Sequence, residues 1–390
     1  MSDAGFDVNA TVAHFLNQRF DSILQSALSL TGIVDAKKKK EARSHFQSYL
    51  TRDARRLSRI PQLLNRGGET FLYDYYIPMP IKNTKTGMVL VDPNAETLLE
   101  SSRCNIVIGT GGSGKTIFLR HLFINAIQRT EYMPVYVEFR KKDYQAIGLV
   151  DAVADVIQLS SDGQSWLESL LNEGKLLILL DGFDEVDKRH RKKVWEEIET
   201  LSTKYQKLRI VVSTRPGYDF QTLTEYTVQE MQGLPKEKAV ALVRRLDATP
   251  EDKNSFVSGI ENGKYDSYSD FLLWPMLLTI MFLTYCDNAS IPVKKHLFYR
   301  SAYDALWNKH DAISKGNWER PRQTGLDQEE FRKVFQGFSI LTLTYNESSY
   351  DQSLLLERMK KAIEMVGMNV DAQGMICLLY TSDAADDLFR

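Results

Sequence analysis

The feature that most constrains this chain is a glycine-rich segment with the pattern G-x-x-x-x-G-K-[ST]. It follows a β-branched run, Cys104–Ile108, and precedes a stretch from Ile117 with helical spacing of apolar residues. The segment consists of Gly109, Thr110, Gly111, Gly112, Ser113, Gly114, Lys115 and Thr116. A strand, a glycine loop and a helix in this order predict a loop that binds phosphate groups.

Each part of this loop has a distinct expected role. The glycines allow successive backbone N–H groups to turn toward a β-phosphate. Lys115 is expected to reach the β- and γ-phosphate oxygens, and the Thr116 hydroxyl is expected to bind Mg²⁺ at the positive end of the helix. The sequence therefore predicts a nucleotide and Mg²⁺ as cofactors.

A second motif supplies carboxylates after a run of aliphatic residues, Leu176–Leu180. Such a run is typical of a buried central strand whose carboxyl end delivers side chains to a ligand site. We expect Asp181 to hold Mg²⁺, directly or through water, and Asp184 and Glu185 to polarise an attacking water. The alternative for the last two residues is an acidic surface turn.

A third strand, Leu208–Val212, ends in Ser213-Thr214-Arg215. Arg215 is expected to contact the γ-phosphate; the alternative is a structural salt bridge. Because strands and helices alternate through this region, the sequence predicts an α/β fold with a mostly parallel sheet covered by helices.

Helical patterns flank the alternating region on both sides. Amphipathic helices are predicted over residues 11–30 and 38–64, and the aromatic segment Phe71–Pro80 is predicted to be extended. After the strands of the sheet, the sequence predicts a helical lid whose second helix is interrupted at Trp274–Pro275. The expected domains are a helical module over 1–70, a nucleotide-binding domain over 71–232, the lid over 233–290, a partial winged-helix or second helical subdomain over 291–376, and a tail over 377–390.

Composition excludes several classes of partner. A net charge of −2 favours no polyanion, and the block Lys37–Lys40 is interpreted as a solvated helix face, so nucleic acid is not expected. The three cysteines form neither a metal pattern nor a disulfide framework, which fits the cytoplasm. No signal peptide or membrane-spanning segment is recognisable.

One short pattern points to a different nucleotide. Asn308–Asp311 spells the N-K-x-D sequence by which GTPases recognise guanine. It lies outside the alternating region, whereas that pattern belongs after a strand of the nucleotide-binding sheet. ATP is therefore expected rather than GTP.

The three motifs together resemble the NACHT family of STAND P-loop NTPases, which are related to animal NOD-like receptors and abundant in bacteria. The residues that carry the resemblance are Gly109–Thr116, Leu179–Glu185 and Ser213–Pro216. It covers roughly residues 70 to 310. The resemblance implies that ADP holds a closed monomer and that ATP exchange opens it, so that the opened molecules assemble and activate an effector. Bacterial members often act in defence against phage.

The resemblance also implies roles for individual residues. Lys115 and Thr116 match the phosphate and magnesium positions, Asp181 the metal carboxylate, Glu185 with Asp184 the hydrolytic acids, Arg215 the first sensor, and Pro275 the lid proline near the nucleotide. Family members continue into a winged-helix segment with a nucleotide-contacting histidine and then usually a repeat-rich sensor, and neither is recognisable here. The candidates His296 and His310 lie too early in the sequence for the winged-helix histidine. The segment Cys377–Asp386 resembles a translated sequencing adapter, so we expect a truncated reading frame that lacks its sensor.

Two functional classes remain open on these residues. The first is an ATP-driven signalling switch with slow hydrolysis, which forms homo-oligomers on activation and couples to an unknown effector or trigger protein through its N-terminal helices. The second is a work-performing, AAA-like remodelling motor with rapid, substrate-stimulated turnover. A structural protein with an inactive site is disfavoured, because Lys115, Asp181 and Glu185 are intact.

Overall fold

The computed structural model describes most of the chain in two compact units. The described residues are 7–28, 36–61, 69–139, 148–158, 164–186, 188–217, 225–291, 294, 297–304, 326–347, 350 and 352–381. The first unit comprises residues 1–62 and 68–279, and the second comprises 63–67 and 280–390.

The strands of the first unit follow the predicted aliphatic runs. They are β1 Arg59–Pro61, β2 Glu69–Phe71, β3 Ile81–Asn83, β4 Val89–Leu90, β5 Cys104–Ile108, β6 Met133–Glu138, β7 Leu176–Asp181, β8 Arg209–Thr214 and β9 Thr227–Met231. All six residues of β7 are buried, as expected for a strand in the middle of a covered sheet.

Among the described residues, seven strands form one sheet in the order β4-β3-β9-β5-β8-β7-β6. The strands from β9 to β6 run parallel, and β3 and β4 add an antiparallel edge. The predicted α/β fold with a mostly parallel sheet is confirmed. Because β5, β8 and β7 are parallel neighbours, their carboxyl ends meet at one edge of the sheet, where ligands bind in folds of this kind.

Helices flank this sheet and connect its strands. They are α1 Val8–Leu28, α2 Ala36–Leu57, α3 Leu72–Tyr75, α4 Ala95–Ser101, α5 Lys115–Arg129, α6 Leu149–Ile157, α7 Gln164–Asn172, α8 Lys188–Lys204, α9 Lys236–Arg245, α10 Pro250–Glu261, α11 Ser269–Leu272 and α12 Pro275–Asn288. Local chemistry sets several boundaries: Asn94 and Thr97 form a capping box at α4, and Thr249 caps α10 just before Pro250.

The N-terminal helices pack on the nucleotide-binding elements within the first unit. Helix α1 contacts α2, α5 and α7, and α2 contacts α5. The buried Tyr49 hydroxyl of α2 donates to the carbonyl of Pro134 in β6 at 3.0 Å. The two predicted amphipathic helices therefore pack both on each other and on the rest of this unit.

Two local predictions differ from the structure. The second helix ends at Leu57 rather than near residue 64, because Ile60 precedes a proline and β1 instead pairs with β2. The aromatic segment is not wholly extended, since Leu72–Tyr75 form one helical turn. That turn brings Tyr73 and Tyr76 onto the same histidine, a tertiary contact that periodicity does not report.

The second unit contains helices that bury their own core. Residues 297–304 form α13, followed by α14 Gln328–Thr344, α15 Gln352–Met365 and α16 Ala372–Thr381. Phe331, Val334, Met359 and Met375 are at the centre of this core. Helix α16 continues into the segment that resembles an adapter sequence. The pattern Asn308–Asp311 and both histidine candidates lie outside the described residues. In the described part of the chain, no helix is long and apolar enough to cross a lipid bilayer.

Candidate nucleotide site

The glycine-rich loop joins the end of β5 to the start of α5. Gly112 and Gly114 have φ values of 73° and 91°, a region that L-residues with a Cβ rarely adopt. The N-terminus of α5 has no side-chain cap, so a bound anion can accept hydrogen bonds from the first-turn N–H groups. The backbone N–H of Gly109 donates to the carbonyl of Thr214 at 3.2 Å, which ties the loop to the end of β8.

Lys115, the first residue of α5, folds back over the loop. Its Nζ donates to the carbonyl oxygens of Gly109 at 2.7 Å and Thr110 at 3.0 Å. The ammonium is therefore held beside the same backbone that would surround a phosphate. Thr116 follows it and is half-buried at the start of the helix.

The electrostatics of Lys115 report which charged side chains surround it. Burial lowers the pKa of Lys115 from its ordinary value. The Arg215 charge lowers this pKa as well, whereas the carboxylates of Asp184, Asp181 and Glu185 raise it. The structure thus brings the lysine, three acids and the arginine that the sequence singled out into one charged cluster.

Asp181 ends β7 and is 8 % exposed. Its Oδ2 accepts a hydrogen bond from the Tyr136 hydroxyl at 2.8 Å, and its Oδ1 accepts one from Ser213 Oγ at 2.6 Å. Burial raises the pKa of Tyr136 well above its usual range, and the Asp181 charge raises it further. Tyr136 therefore remains a hydroxyl donor across the working pH range.

Asp184 and Arg215 pair with each other. Asp184 Oδ1 accepts a hydrogen bond from the Arg215 backbone N–H at 3.1 Å, and its Oδ2 lies 3.0 Å from Arg215 Nε. The structural salt bridge that the sequence left as the alternative for Arg215 is therefore present. The Arg215 guanidinium nevertheless lies close enough to Lys115 to lower the pKa of the lysine.

Glu185 lies at the end of a short 3₁₀ turn, Phe183–Glu185, that follows β7. Gly182 begins this turn with φ 80°, and a Cβ placed there would lie 3.0 Å from Glu185 Cδ. The glycine thus lets the Glu185 side chain pack back over the strand end. The turn that the sequence left as the alternative for Asp184 and Glu185 is half-buried in the structure.

The beginning of α12 lies on the glycine-rich loop. Pro275 Cγ is 4.0 Å from the position that a Cβ on Gly114 would occupy. The backbone N–H of Met276 points to the carbonyl of Gly112 at 3.5 Å, and the Met276 side chain would clash with a Cβ on Gly112. Pro275, for which the sequence predicts a place near the nucleotide, thus lies beside this loop.

Sequence reasoning assigned no site role to Tyr136, Ser213 or Met79. Met79 Cγ lies 3.8 Å from the Cβ position on Gly114, so the aromatic segment also reaches the loop. Ser213 belongs to the recognised Ser213–Pro216 motif, and its place after a strand could have flagged it. Tyr136 carries no such signal, because a tyrosine inside an apolar strand is predicted to be an ordinary residue of the hydrophobic core.

The donor set fits a magnesium ion that is shared with a nucleotide. No group of three or more His, Cys, Asp or Glu side chains in the described ranges could hold a metal ion alone. Mg²⁺ in nucleotide sites is usually held by one or two carboxylates together with substrate phosphates and waters. The buried, oriented Asp181 and the hydroxyl of Thr116 supply protein ligands of that kind.

The aromatic segment before β3 surrounds a buried histidine of α5. The Tyr76 ring stacks on His121 with 4.4 Å between centroids, and the Tyr73 hydroxyl lies 3.1 Å from His121 Nδ1. Burial lowers the pKa of His121 to about 4, with a smaller contribution from the Arg129 charge. The imidazole is therefore neutral in the folded protein at neutral pH.

We expect His121 to make the folded state sensitive to acid. Its folded pKa of about 4 lies below the unfolded value of 6.5, so the unfolded chain binds this proton first. Stability is then complete above pH 6.5 and falls by roughly 2–3 kcal/mol as the pH drops toward 4. Urea unfolding of the parent and of His121→Phe between these pH values measures the effect. Equal pH slopes in the two proteins would contradict it.

The fold and the site define a class of protein: the first unit is a P-loop NTPase. Residues 103–249 match the family model of the NACHT domain, so this segment of the chain is a NACHT domain. The resemblance to the NACHT family that the three motifs carry is confirmed for this segment.

Three solved structures are among those that match this chain. One is a signal transduction ATPase with numerous domains (STAND) with a tetratricopeptide repeat sensor from Pyrococcus horikoshii, at 15% identity over 70% of this chain and 47% of that chain, with TM-score 0.31. The replication initiator DnaA bound to AMPPCP and single-stranded DNA matches at 14% identity over 74% and 85%, with TM-score 0.27. Cdc6p from Pyrobaculum aerophilum matches at 15% identity over 72% and 79%, with TM-score 0.27. The chain spans about half the length of the Pyrococcus horikoshii protein. No curated protein sequence matches it.

Proposed function

We propose that the protein is an ATP-binding switch that hydrolyses ATP slowly and uses the bound nucleotide to control its conformation. The observation that carries this proposal is the contact of the lid with the phosphate loop, through Pro275 and Met276 on Gly114 and Gly112. A lid that touches the loop can respond to which nucleotide lies there, and differential contact in two lid positions is what biases a two-state equilibrium.

The residues of the site divide the work of hydrolysis. Lys115 and the N–H groups of α5 bind the phosphates, and Asp181 with Thr116 would hold Mg²⁺. When bound, Mg²⁺ neutralises charge on the β- and γ-phosphate oxygens. Asp184 is paired with Arg215 through both oxygens. Glu185, which matches the hydrolytic acid of the family and ends the turn after β7, is the residue that would accept a proton from the attacking water.

Helix α9 of the lid also binds the chain just before β3 and just after β4, the antiparallel edge of the sheet. Lys238 Nζ donates to the carbonyl of Pro78 at 2.8 Å and that of Val91 at 2.7 Å, and it pairs with Asp92 at 2.6 Å. Movement of the lid would break these bonds or carry this edge with it. This coupling supports a switch, since a lid that moves with the nucleotide would also move the antiparallel edge of the sheet.

The biological setting belongs to the same proposal. By resemblance to bacterial NACHT proteins, we propose that ATP exchange promotes homo-oligomerisation and activation of an effector in antiphage defence in the cytoplasm. The alternative is a work-performing motor, and the following experiment distinguishes it from the switch.

The test measures the nucleotide content of the purified chain. We expect ADP to be released when the parent protein is denatured, and little ADP from Lys115→Ala, because a charged hydrogen bond worth about 1.5–3 kcal/mol is lost. That loss corresponds to an affinity lower by about 10–100-fold. Lys193→Ala, which removes an exposed lysine from α8, is the matched control and should retain ADP.

The other outcomes separate the alternatives. An empty protein that binds ATP weakly and turns it over quickly would favour the motor. A parent chain that binds no nucleotide would overturn the proposed function. Competition between ATP and GTP for the same site tests the expected preference for adenine.

A further inference from the structure

Three adjacent strands converge on one carboxylate. Asp181 lies at the end of β7, beside Glu138 of β6 in the strand register, and β8 lies on its other side. Hydroxyl donors reach Asp181 from both neighbouring strands: Tyr136 from β6 and Ser213 from β8. Tyr136 is 1 % exposed and Ser213 is fully buried. We call these two residues the hydroxyl clamp.

The hydroxyl clamp fixes the plane of the carboxylate. One donor would leave the group free to rotate about its terminal bond, whereas donors on both oxygens from opposite sides define its orientation. The two donor–acceptor distances, 2.8 Å and 2.6 Å, are typical of hydrogen bonds from hydroxyls to carboxylates. Each oxygen retains a second lone pair, so the clamp leaves Asp181 able to accept a magnesium ion or its water.

The direction of the Ser213 hydroxyl is itself determined. Ser213 Oγ accepts a hydrogen bond from the backbone N–H of Gly182 at 2.8 Å and donates its only proton to Asp181. The N–H, the hydroxyl and the carboxylate form a chain in which every donor has one acceptor. This arrangement disfavours other rotamers of Ser213.

The N-terminal helix α2 contacts Tyr136. The Arg56 guanidinium of α2 lies 5.9 Å from the centre of the Tyr136 ring and pairs with Glu138, two residues further along β6, at 2.6 Å. These contacts cover the phenol and restrict its movement. The position of the donor to Asp181 therefore depends on α2.

We propose that the hydroxyl clamp, Tyr136 and Ser213, orients Asp181 for Mg²⁺ and thereby sets the metal affinity of the nucleotide site. The proposal rests on the proposed function, because it concerns the same site. Tyr136 and Ser213 are positioning residues that act through Asp181. Donors that orient metal ligands typically change metal affinity by about 10–100-fold when they are removed.

The test compares Tyr136→Phe and Ser213→Ala with the parent chain. Mn²⁺ serves as the probe, and its affinity for the ADP-bound protein is measured by electron paramagnetic resonance. ADP affinity in the presence of EDTA is measured separately. We expect each variant to bind Mn²⁺ about tenfold more weakly, while ADP affinity in EDTA stays within about twofold of the parent. Ser213→Thr, which retains a hydroxyl, should restore Mn²⁺ binding.

Matched controls remove the same groups elsewhere in the unit. Tyr132→Phe removes a phenol hydroxyl from the residue just before β6, and Ser202→Ala removes a buried hydroxyl of α8 that donates to the carbonyl of Glu199. Both controls should bind Mn²⁺ as the parent does. Thermal unfolding of all variants checks that the fold is intact.

Two results would overturn the clamp. The first is Mn²⁺ affinity in both variants equal to that of a parent that binds ADP and Mn²⁺. The second is a loss of ADP affinity in EDTA as large as the loss of Mn²⁺ affinity, which would make the role purely structural. A parent chain that binds no nucleotide overturns the proposed function and the clamp together, so the two failures are distinguishable.

Discussion

Glu185→Gln is expected to lower the rate of ATP hydrolysis by about 10²–10⁴-fold, the range for losing a general base. The substitution keeps the size of the side chain and its packing over Gly182 but removes its ability to take a proton. Because Lys115 and the loop are the proposed phosphate ligands, nucleotide affinity should stay within about threefold of the parent. Single-turnover hydrolysis of bound ATP measures the rate, and fluorescent nucleotide titration measures the affinity.

A second acid and a remote one make this prediction specific. Asp184→Asn should reduce the rate less, because Asp184 is bound to Arg215 through both oxygens. Glu196→Gln, on the exposed side of α8, should have no effect. A Glu185→Gln protein that hydrolyses ATP at the parental rate would assign the base to another residue, and a larger loss in Asp184→Asn would identify that residue.

The sheet was largely predictable because its strands carry their signal locally. The aliphatic run before Asp181 predicts a buried strand in any context, and β7 is buried along its whole length. The short elements before the sheet were not predictable in the same way. Strand β1 exists only because β2 pairs with it, and the α3 turn is accompanied by packing of Tyr73 and Tyr76 on His121. Both depend on residues distant in sequence.

In the candidate site, too, some residues are recognisable from local sequence and others only from the fold. Lys115, Asp181 and Glu185 are recognisable because their spacing follows from the chemistry of phosphate and magnesium binding. Tyr136 is invisible to that reasoning, since its role depends on the register that aligns β6 with β7. The pairing of Asp184 with Arg215 is similar: the sequence proposes a role for each residue, and only the geometry shows that they bind each other.

Gly174→Ala is expected to destabilise the first unit by about 3–5 kcal/mol, for two separate reasons. Gly174 has φ 64° between α7 and β7, and a left-handed conformation costs an alanine about 1–2 kcal/mol. A Cβ there would also overlap the carbonyl oxygen of Lys207 and lie 2.6 Å from its carbonyl carbon. Since the obstacle is backbone, the loop before β8 must move. Urea unfolding of the parent and the variant measures the loss.

Gly87→Ala separates the two causes. Gly87 has a similar φ of 73°, but a Cβ there meets no atom within 4 Å, so only the conformational cost of about 1–2 kcal/mol applies. The difference between the two variants is the cost of displacing the Lys207 backbone. A Gly174→Ala protein no less stable than Gly87→Ala would show that this loop yields freely. Because β7 and β8 carry Asp181 and Ser213, we expect a shift of the loop to weaken Mn²⁺ binding as well.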